Sequence, residues 1–238
     1  MLAIVLKRRD FRESDQMITL YTREKGKITA LARGVKKITG KNSAFLEPFF
    51  YVEAEVVPGK DVHHLTKAVG LESYKIIRSN LEKSLAAGRI VSLVDRLVEE
   101  GERDLKIFSL LKHWLDFVNE NDFTVVYLYG FLARLFKIIG FEPALDKCVV
   151  CGKPRAEKVS KLYFSLIHGG IVCADCRGKS HESAFALLSL SDLFAWDSFL
   201  HDDIDKWPAE ISAPLKKLLM NFCEFHGERK LAKFSQIL

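Results

Sequence analysis

The stretch MLAIVLKRRDFRESDQMITLYTREKGKITALA, residues 1–32, decides how the chain begins to fold. Residues 1–6 form one apolar run, Met17, Ile18, Leu20 and Tyr21 a second, and residues 28–32 a third. Charged turns separate them, with Lys7, Arg8, Arg9 and Arg12 closing the first run and Glu24-Lys25-Gly26-Lys27 preceding the third. Short apolar runs bounded by such turns read as strands. Further on, Phe50, Val52, Ala54 and Val56 alternate with Tyr51, Glu53 and Glu55 before Pro58-Gly59, and residues 63–69 supply a fifth strand. Alternation of period two puts one face of a strand in a core and the other in water. Five short strands with no long helix between them predict a small all-β barrel, and a five-stranded OB-type barrel fits best.

After Gly70 the apolar spacing becomes helical. Leu81, Leu85, Ile90, Val91, Val94, Leu97 and Val98 lie on one face, and Gly101 stops the helix. Asp104 reads as the N-cap of a helix over 105–118. A third helix runs from about residue 123 or 124 to 139, ends on Gly140, and is apolar nearly all round, which predicts a central place in a bundle. Two more are expected over 183–200 and 208–225. The fold class is therefore α+β, with an OB-type barrel over 1–78 and a helical domain over 79–238. The helical domain carries a four-cysteine, zinc ribbon-like insert at 146–180.

Cys148-x2-Cys151 and Cys173-x2-Cys176, separated by 21 residues, form that insert. Each pair can present two thiolates from a tight turn, and four sulfurs complete a tetrahedral shell around one structural zinc ion. Residues 162–166 and 171–172, around Gly169-Gly170, read as the hairpin that joins the pairs. A redox role would need a C-x-x-C opening a helix in a βαβ context, which is absent. Four cysteine ligands leave no open position for water, so the metal is expected to be structural. Cys223, on the apolar side of the last helix, reads as core.

Composition bounds the rest. With 48% hydrophobic and 28% charged residues the chain is globular rather than disordered. No apolar run approaches the roughly 20 residues of a membrane span. Apolar residues precede charges at the N-terminus, the reverse of a signal peptide, and the cysteine usage suits a reducing compartment, so a cytoplasmic protein is expected. Residues 1–80 hold 15 Lys/Arg against 9 Asp/Glu, so the net charge of +5 originates in the first third. Lys7, Arg8, Arg9, Arg12, Arg23, Lys25, Lys27, Arg33, Lys36, Lys37 and Lys41 cluster at strand ends, where several cations can follow one phosphate backbone. OB barrels also stack unpaired bases on aromatic side chains, and Phe11, Tyr21, Phe45 and Tyr51 are available, although core packing competes for each.

Several motifs then occur in a telling order. Arg8-Arg9-Asp10-Phe11-Arg12-Glu13-Ser14-Asp15 leads to Ile18-Thr19-Leu20-Tyr21-Thr22 and Glu24-Lys25-Gly26-Lys27. Arg33-Gly34-Val35-Lys36-Lys37 and Leu46-Glu47-Pro48-Phe49 follow, and much later Cys148-Val149-Val150-Cys151-Gly152 and His168-Gly169-Gly170-Ile171-Val172-Cys173. Over essentially its whole length the chain resembles the bacterial recombination mediator family RecO. The resemblance implies an N-terminal OB fold, a helical C-terminal domain and a zinc element. It further implies binding of single- and double-stranded DNA, annealing of complementary strands, and partnership with RecR and single-stranded DNA-binding protein (SSB), helping to place RecA on SSB-coated DNA at the nucleoid. The family's basic positions match Arg33, Lys36 and Lys37, and more loosely Arg8, Arg9 and Arg12. The SSB C-terminal tail has no alignable motif; Arg134 and Lys137, cations on an apolar helix, are the residues proposed for it, with snorkelling at a bundle surface as the competing reading.

No Walker loop, G-x-S-x-G or H-E-x-x-H occurs, so a non-enzymatic protein is expected. The competing class is an RNA-binding or ribosome-associated zinc-ribbon/OB protein, distinguished by a preference for structured RNA over single-stranded DNA.

Overall fold

Alternating side chains curl the first five strands into a closed barrel in a computed structural model of the protein, which describes residues 1–36, 43–155, 162–179 and 185–227. The strands are β1 (Leu2–Asp10), β2 (Gln16–Thr22), β3 (Gly26–Ala32), β4 (Tyr51–Val57) and β5 (His63–Glu72). Their order is β1-β2-β3-β5-β4, with β4 closing antiparallel on β1. Only β3 and β5 run parallel, through Ala30 opposite His63 and Leu31 opposite His64. This is the expected five-stranded OB-type arrangement. Val5, Ile18, Leu20, Ile28, Val52 and Leu65 fill the interior, and small residues such as Ala3, Ala30 and Ala54 keep it narrow.

One irregularity governs the basic residues. Val5 pairs with Leu20 but Lys7 with Thr19, which leaves Leu6 as a bulge. Beyond it, Lys7 and Arg9 share the outer face with Thr19 and Met17, whereas Arg8 and Asp10 stand on the side of Ile18 and Gln16. Strand β1 is buried from Ala3 to Leu6 and exposed from Lys7 onward.

Helices α1 (Lys75–Ser79), α2 (Leu81–Leu97) and α3 (Leu105–Glu120) join the barrel in one compact unit, Met1–Phe123. The Asn80 side chain caps α2 by accepting from the Lys83 N–H at 3.1 Å. Asp104 caps α3 as expected, accepting from the Lys106 N–H at 2.7 Å. Helix α2 packs on β1, α1 and α3 and buries Ile90 and Val94. Helix α1, at five residues, is too short to show a period in the sequence.

The second unit begins at Thr124. Its helix α4 (Val125–Ile138) buries Val126, Phe131, Leu132, Leu135 and Phe136 and packs on α6 (Leu190–His201) and α7 (Ala213–Gly227). Strands β6 (Leu162–Ser165) and β7 (Gly170–Val172) form the expected hairpin, and α5 (Ala174–Lys179) follows. Strand β8 (Ala186–Leu188) adds to the free edge of β6.

That strand corrects the helix expected over 183–200, which starts only at Leu190. Phe185-Ala186-Leu187-Leu188 suits either period, and the open edge of β6 recruits it as a strand. Ser189 then starts α6 with a capping box: its hydroxyl accepts from the Asp192 N–H at 3.1 Å, and the Asp192 carboxylate accepts from the Ser189 N–H at 3.0 Å. The helix expected from 208 likewise starts at Ala213, because the Ser212 hydroxyl caps it by accepting from the Leu215 N–H at 3.1 Å. No helix among the described residues is long and apolar enough to cross a membrane.

Candidate metal centre and nucleic-acid interface

Cys148 and Cys151 lie in a turn that backbone hydrogen bonds lace to β7. The Val149 N–H donates to the Ile171 carbonyl at 3.0 Å, and the Gly152 N–H closes the turn on the Cys148 carbonyl at 2.9 Å. Gly152 has φ +73°, a left-handed conformation that glycine adopts without strain. Cys173 follows β7, and the Arg177 N–H donates to its carbonyl at 2.9 Å as α5 winds past Cys176. The four sulfurs lie within 4.8 Å of one another, with Cys151 and Cys173 at 3.8 Å. Metal–sulfur bonds of roughly 2.3 Å in a tetrahedron give sulfur–sulfur edges of about 3.8 Å, so the set can hold one metal ion.

The thiols' acidities carry the same message. Burial pushes Cys148 up, but N–H groups of Cys173, Cys151 and Val150 outweigh it and bring the thiol down to about 6. Cys176 is pushed up to about 12, first by the Cys173 thiol, then by burial and by Cys151 and Cys148. Amides favour one thiolate, and its neighbours resist a second negative charge, which a central cation relieves. Cys223 is fully buried in α7, as expected of core.

The basic residues of the barrel fall into separate groups. Strands β2 and β3 each rise about 20 Å over seven residues. Arg8, Arg9, Arg12, Arg33 and Lys36 gather at one end of these strands, and Arg23 and Lys25 occupy the turn at the other. Arg23 there lines a cleft of about 340 Å³ with Tyr51, Phe108 and Lys112. Lys37 and Lys41 lie outside the described residues.

Within the first group Arg8 pairs with Glu47 at 2.5 Å and Lys36 with Asp10 at 2.9 Å. Arg9, Arg12 and Arg33 are exposed and, among the described residues, have no carboxylate at ion-pair distance. A buried aspartate organises this end. The Asp15 carboxylate accepts from the Gly34 N–H at 2.8 Å, which ties the β1–β2 loop to the segment after β3 and holds the carboxyl below its ordinary range. Gly34 takes φ +62° at that point. The sequence reading did not single out Asp15 or Gly34 for this role, because the two lie 19 residues apart.

Lys7 and Lys27 are engaged by the fold instead. Lys27 donates to the Asp95 and Val98 carbonyls, the latter at 3.0 Å, and its ammonium lies 3.1 Å from the Asp95 carboxylate. Lys7 reaches the same carboxylate at 3.4 Å. Asp95 has no local signal that would have revealed this, because it lies 68 residues from Lys27.

Arg134 and Lys137 are also occupied. The Arg134 guanidinium donates to the Phe199 carbonyl at 2.6 Å and to the Asp202 carbonyl, binding the C-terminal end of α6, where a cation complements the helix dipole. Lys137 pairs with Glu142 at 2.7 Å.

Comparisons with known proteins agree along the chain. The family model described as recombination protein O N terminal matches residues 1–74, and recombination protein O C terminal matches residues 78–233. The DNA repair protein RecO of Desulforamulus reducens is 32% identical, covering 96% of this chain and 90% of its own. That of Syntrophomonas wolfei is 33% identical over 83% of this chain and 76% of its own. That of Thermoanaerobacter sp. is 30% identical over 86% and 80%. With a closed OB-type barrel, a four-cysteine cluster and both family models in place, this chain belongs to the recombination protein O family, whose role is in DNA repair and recombination.

Proposed function

We propose that this protein is a non-catalytic mediator that binds single- and double-stranded DNA at the barrel end and anneals complementary strands. With RecR it would help load RecA onto DNA coated with SSB. The observation that carries the reading is the group of three exposed arginines, Arg9, Arg12 and Arg33, around a loop pinned by Asp15. Arginines held this way bind phosphates bidentately and displace condensed counterions, which favours binding without regard to sequence. Two strands held by their backbones have their repulsion screened, while the bases remain free to select each other.

The metal is proposed to be zinc, with Cys148, Cys151, Cys173 and Cys176 as its ligands and a structural role, since four thiolates leave no open coordination position. The acidic SSB tail would compete with carbonyl acceptors for Arg134 and with Glu142 for Lys137. The test is annealing of complementary strands precoated with SSB, followed by fluorescence transfer between end labels. Acceleration by the wild-type protein and its loss in Arg9→Ala/Arg12→Ala/Arg33→Ala are expected; no acceleration would remove the annealing claim.

A further inference from the structure

OB folds commonly bind nucleic acid across the face of strands 2 and 3 and with the loops that join strands 1 and 2 and strands 4 and 5. In this chain the acidic segment 95–104 already runs along the free edge of β3 and engages outward side chains of β1, β2 and β3. Asp95 holds Lys7 and Lys27, and the Glu100 carboxylate accepts from the Thr29 N–H at 2.5 Å and its hydroxyl at 3.1 Å. The Gly101 N–H donates to the Lys27 carbonyl at 2.7 Å. The Tyr21 hydroxyl donates to the Asp104 carbonyl at 3.1 Å and accepts from its N–H at 3.2 Å. A Cβ at Gly26 would collide with the Glu102 carbonyl, so the segment lies directly on the strand. Carboxylates and a peptide backbone thus take up hydrogen-bonding groups that this part of the barrel would otherwise offer a ligand.

Of the four aromatic residues that the sequence offers for stacking, three are engaged by the protein's own side chains or buried. Tyr21 is fully buried, Phe45 packs edge-on against Phe50, and Tyr51 lies beneath the Lys112 ammonium at 4.7 Å. Phe11 is 52% exposed at the tip of the β1–β2 loop, with the Arg12 guanidinium 5.1 Å from its ring centre. Its backbone is fixed: the Phe11 N–H donates to the Asp15 carbonyl at 3.1 Å, and the Lys36 N–H donates to the Ser14 carbonyl at 3.1 Å. By strand register Arg9 and Arg33 flank this tip.

We infer that Phe11 is a stacking platform for an unpaired base, on the one described loop of this surface where an exposed ring stands beside free arginines. This rests on the barrel-end reading above and deepens it, since Phe11 would separate single strands from duplex while the arginines serve both. A ring on a preorganised loop stacks with little further loss of freedom, and every base has a π face to offer. In duplex DNA those faces are already stacked, so the ring adds nothing there.

The test compares full-length wild-type protein with Phe11→Ala, Phe11→Leu and Phe11→Trp. Fluorescence anisotropy would be read with an oligothymidine of about 16 nucleotides, the upper range for one OB fold. An abasic strand of equal length and a blunt duplex are the controls. Phe11→Ala and Phe11→Leu should weaken oligothymidine binding about fivefold or more, with Phe11→Trp close to wild type and both controls unchanged. Unaltered oligothymidine affinity in Phe11→Ala overturns the inference. So does an equal loss on all three ligands, or full retention by Phe11→Leu. If Arg9→Ala/Arg12→Ala/Arg33→Ala binds all three ligands normally, the barrel-end reading itself fails, a result distinguishable from an inert Phe11.

Discussion

At the cysteine element four thiols lie within 4.8 Å of one another, whereas at the barrel end Arg9, Arg12 and Arg33 stand exposed around a loop pinned by Asp15. Both places gather groups of like charge, but they relieve the crowding differently. The sulfurs are too close for several to ionise without a cation, so a metal held there would stand or fall with the local fold. The arginines are screened by water and salt, so the barrel folds without a ligand and the charge remains available to one. Crowding that only a resident ion can relieve belongs to stability, and crowding that solvent tolerates belongs to binding.

The largest expected effect tests the first half of that contrast. Cys148→Ser, or a strong chelator, should abolish cooperative melting of the second unit, since structural zinc supplies on the order of 10 kcal/mol in small domains. Thermal melts followed by circular dichroism would show it. A loss of DNA affinity as large as that of the arginine variant would break the comparison.

Next in size is Arg9→Ala/Arg12→Ala/Arg33→Ala, expected to weaken single-strand binding by about tenfold or more at moderate salt. Its plot of log affinity against log salt should be shallower by about 2, three phosphate contacts at roughly 0.7 each. Its melting should stay within about 0.5 kcal/mol of wild type. An unchanged salt slope would place the phosphate contacts elsewhere.

Lys27→Met sharpens the contrast within the barrel itself. Its ammonium serves the Asp95 and Val98 carbonyls, so its loss should cost about 1–3 kcal/mol of stability while leaving the salt slope alone. A shallower slope in this variant would return Lys27 to the DNA surface.

The smallest effect concerns acid. Burial pulls the Asp192 carboxyl up, but the Ser212 and Ser189 hydroxyls and the Ser189 N–H outweigh it and hold it below its ordinary 3.8. Its contribution is therefore present above pH 3.8 and lost as pH falls through the lower folded value. Asp192→Asn should lose about 1 kcal/mol at neutral pH, as for a helix cap. It should also lack that part of the acid transition in urea titrations at stepped pH.

Much of the fold was legible because its signals are local. Alternation marked the barrel strands, Asp104 and Gly140 marked helix ends, and two C-x-x-C turns announced a ligand set before any contact was known. Residues 186–188 and the starts of α6 and α7 were misread, because a short apolar run suits two periods until a strand edge or a capping serine chooses.

From its residues alone the chain determined the barrel strands, two cysteine pairs and a basic first third, since each depends on neighbours a few positions apart. Which of the cations are free was decided only in three dimensions. Lys27 and Arg33 look alike in sequence, yet Asp95 lies 68 residues from Lys27 and pairs with it in the fold, while no described carboxylate lies at ion-pair distance from Arg33. Charge is a property of a residue, but its availability depends on what the folded chain places beside it.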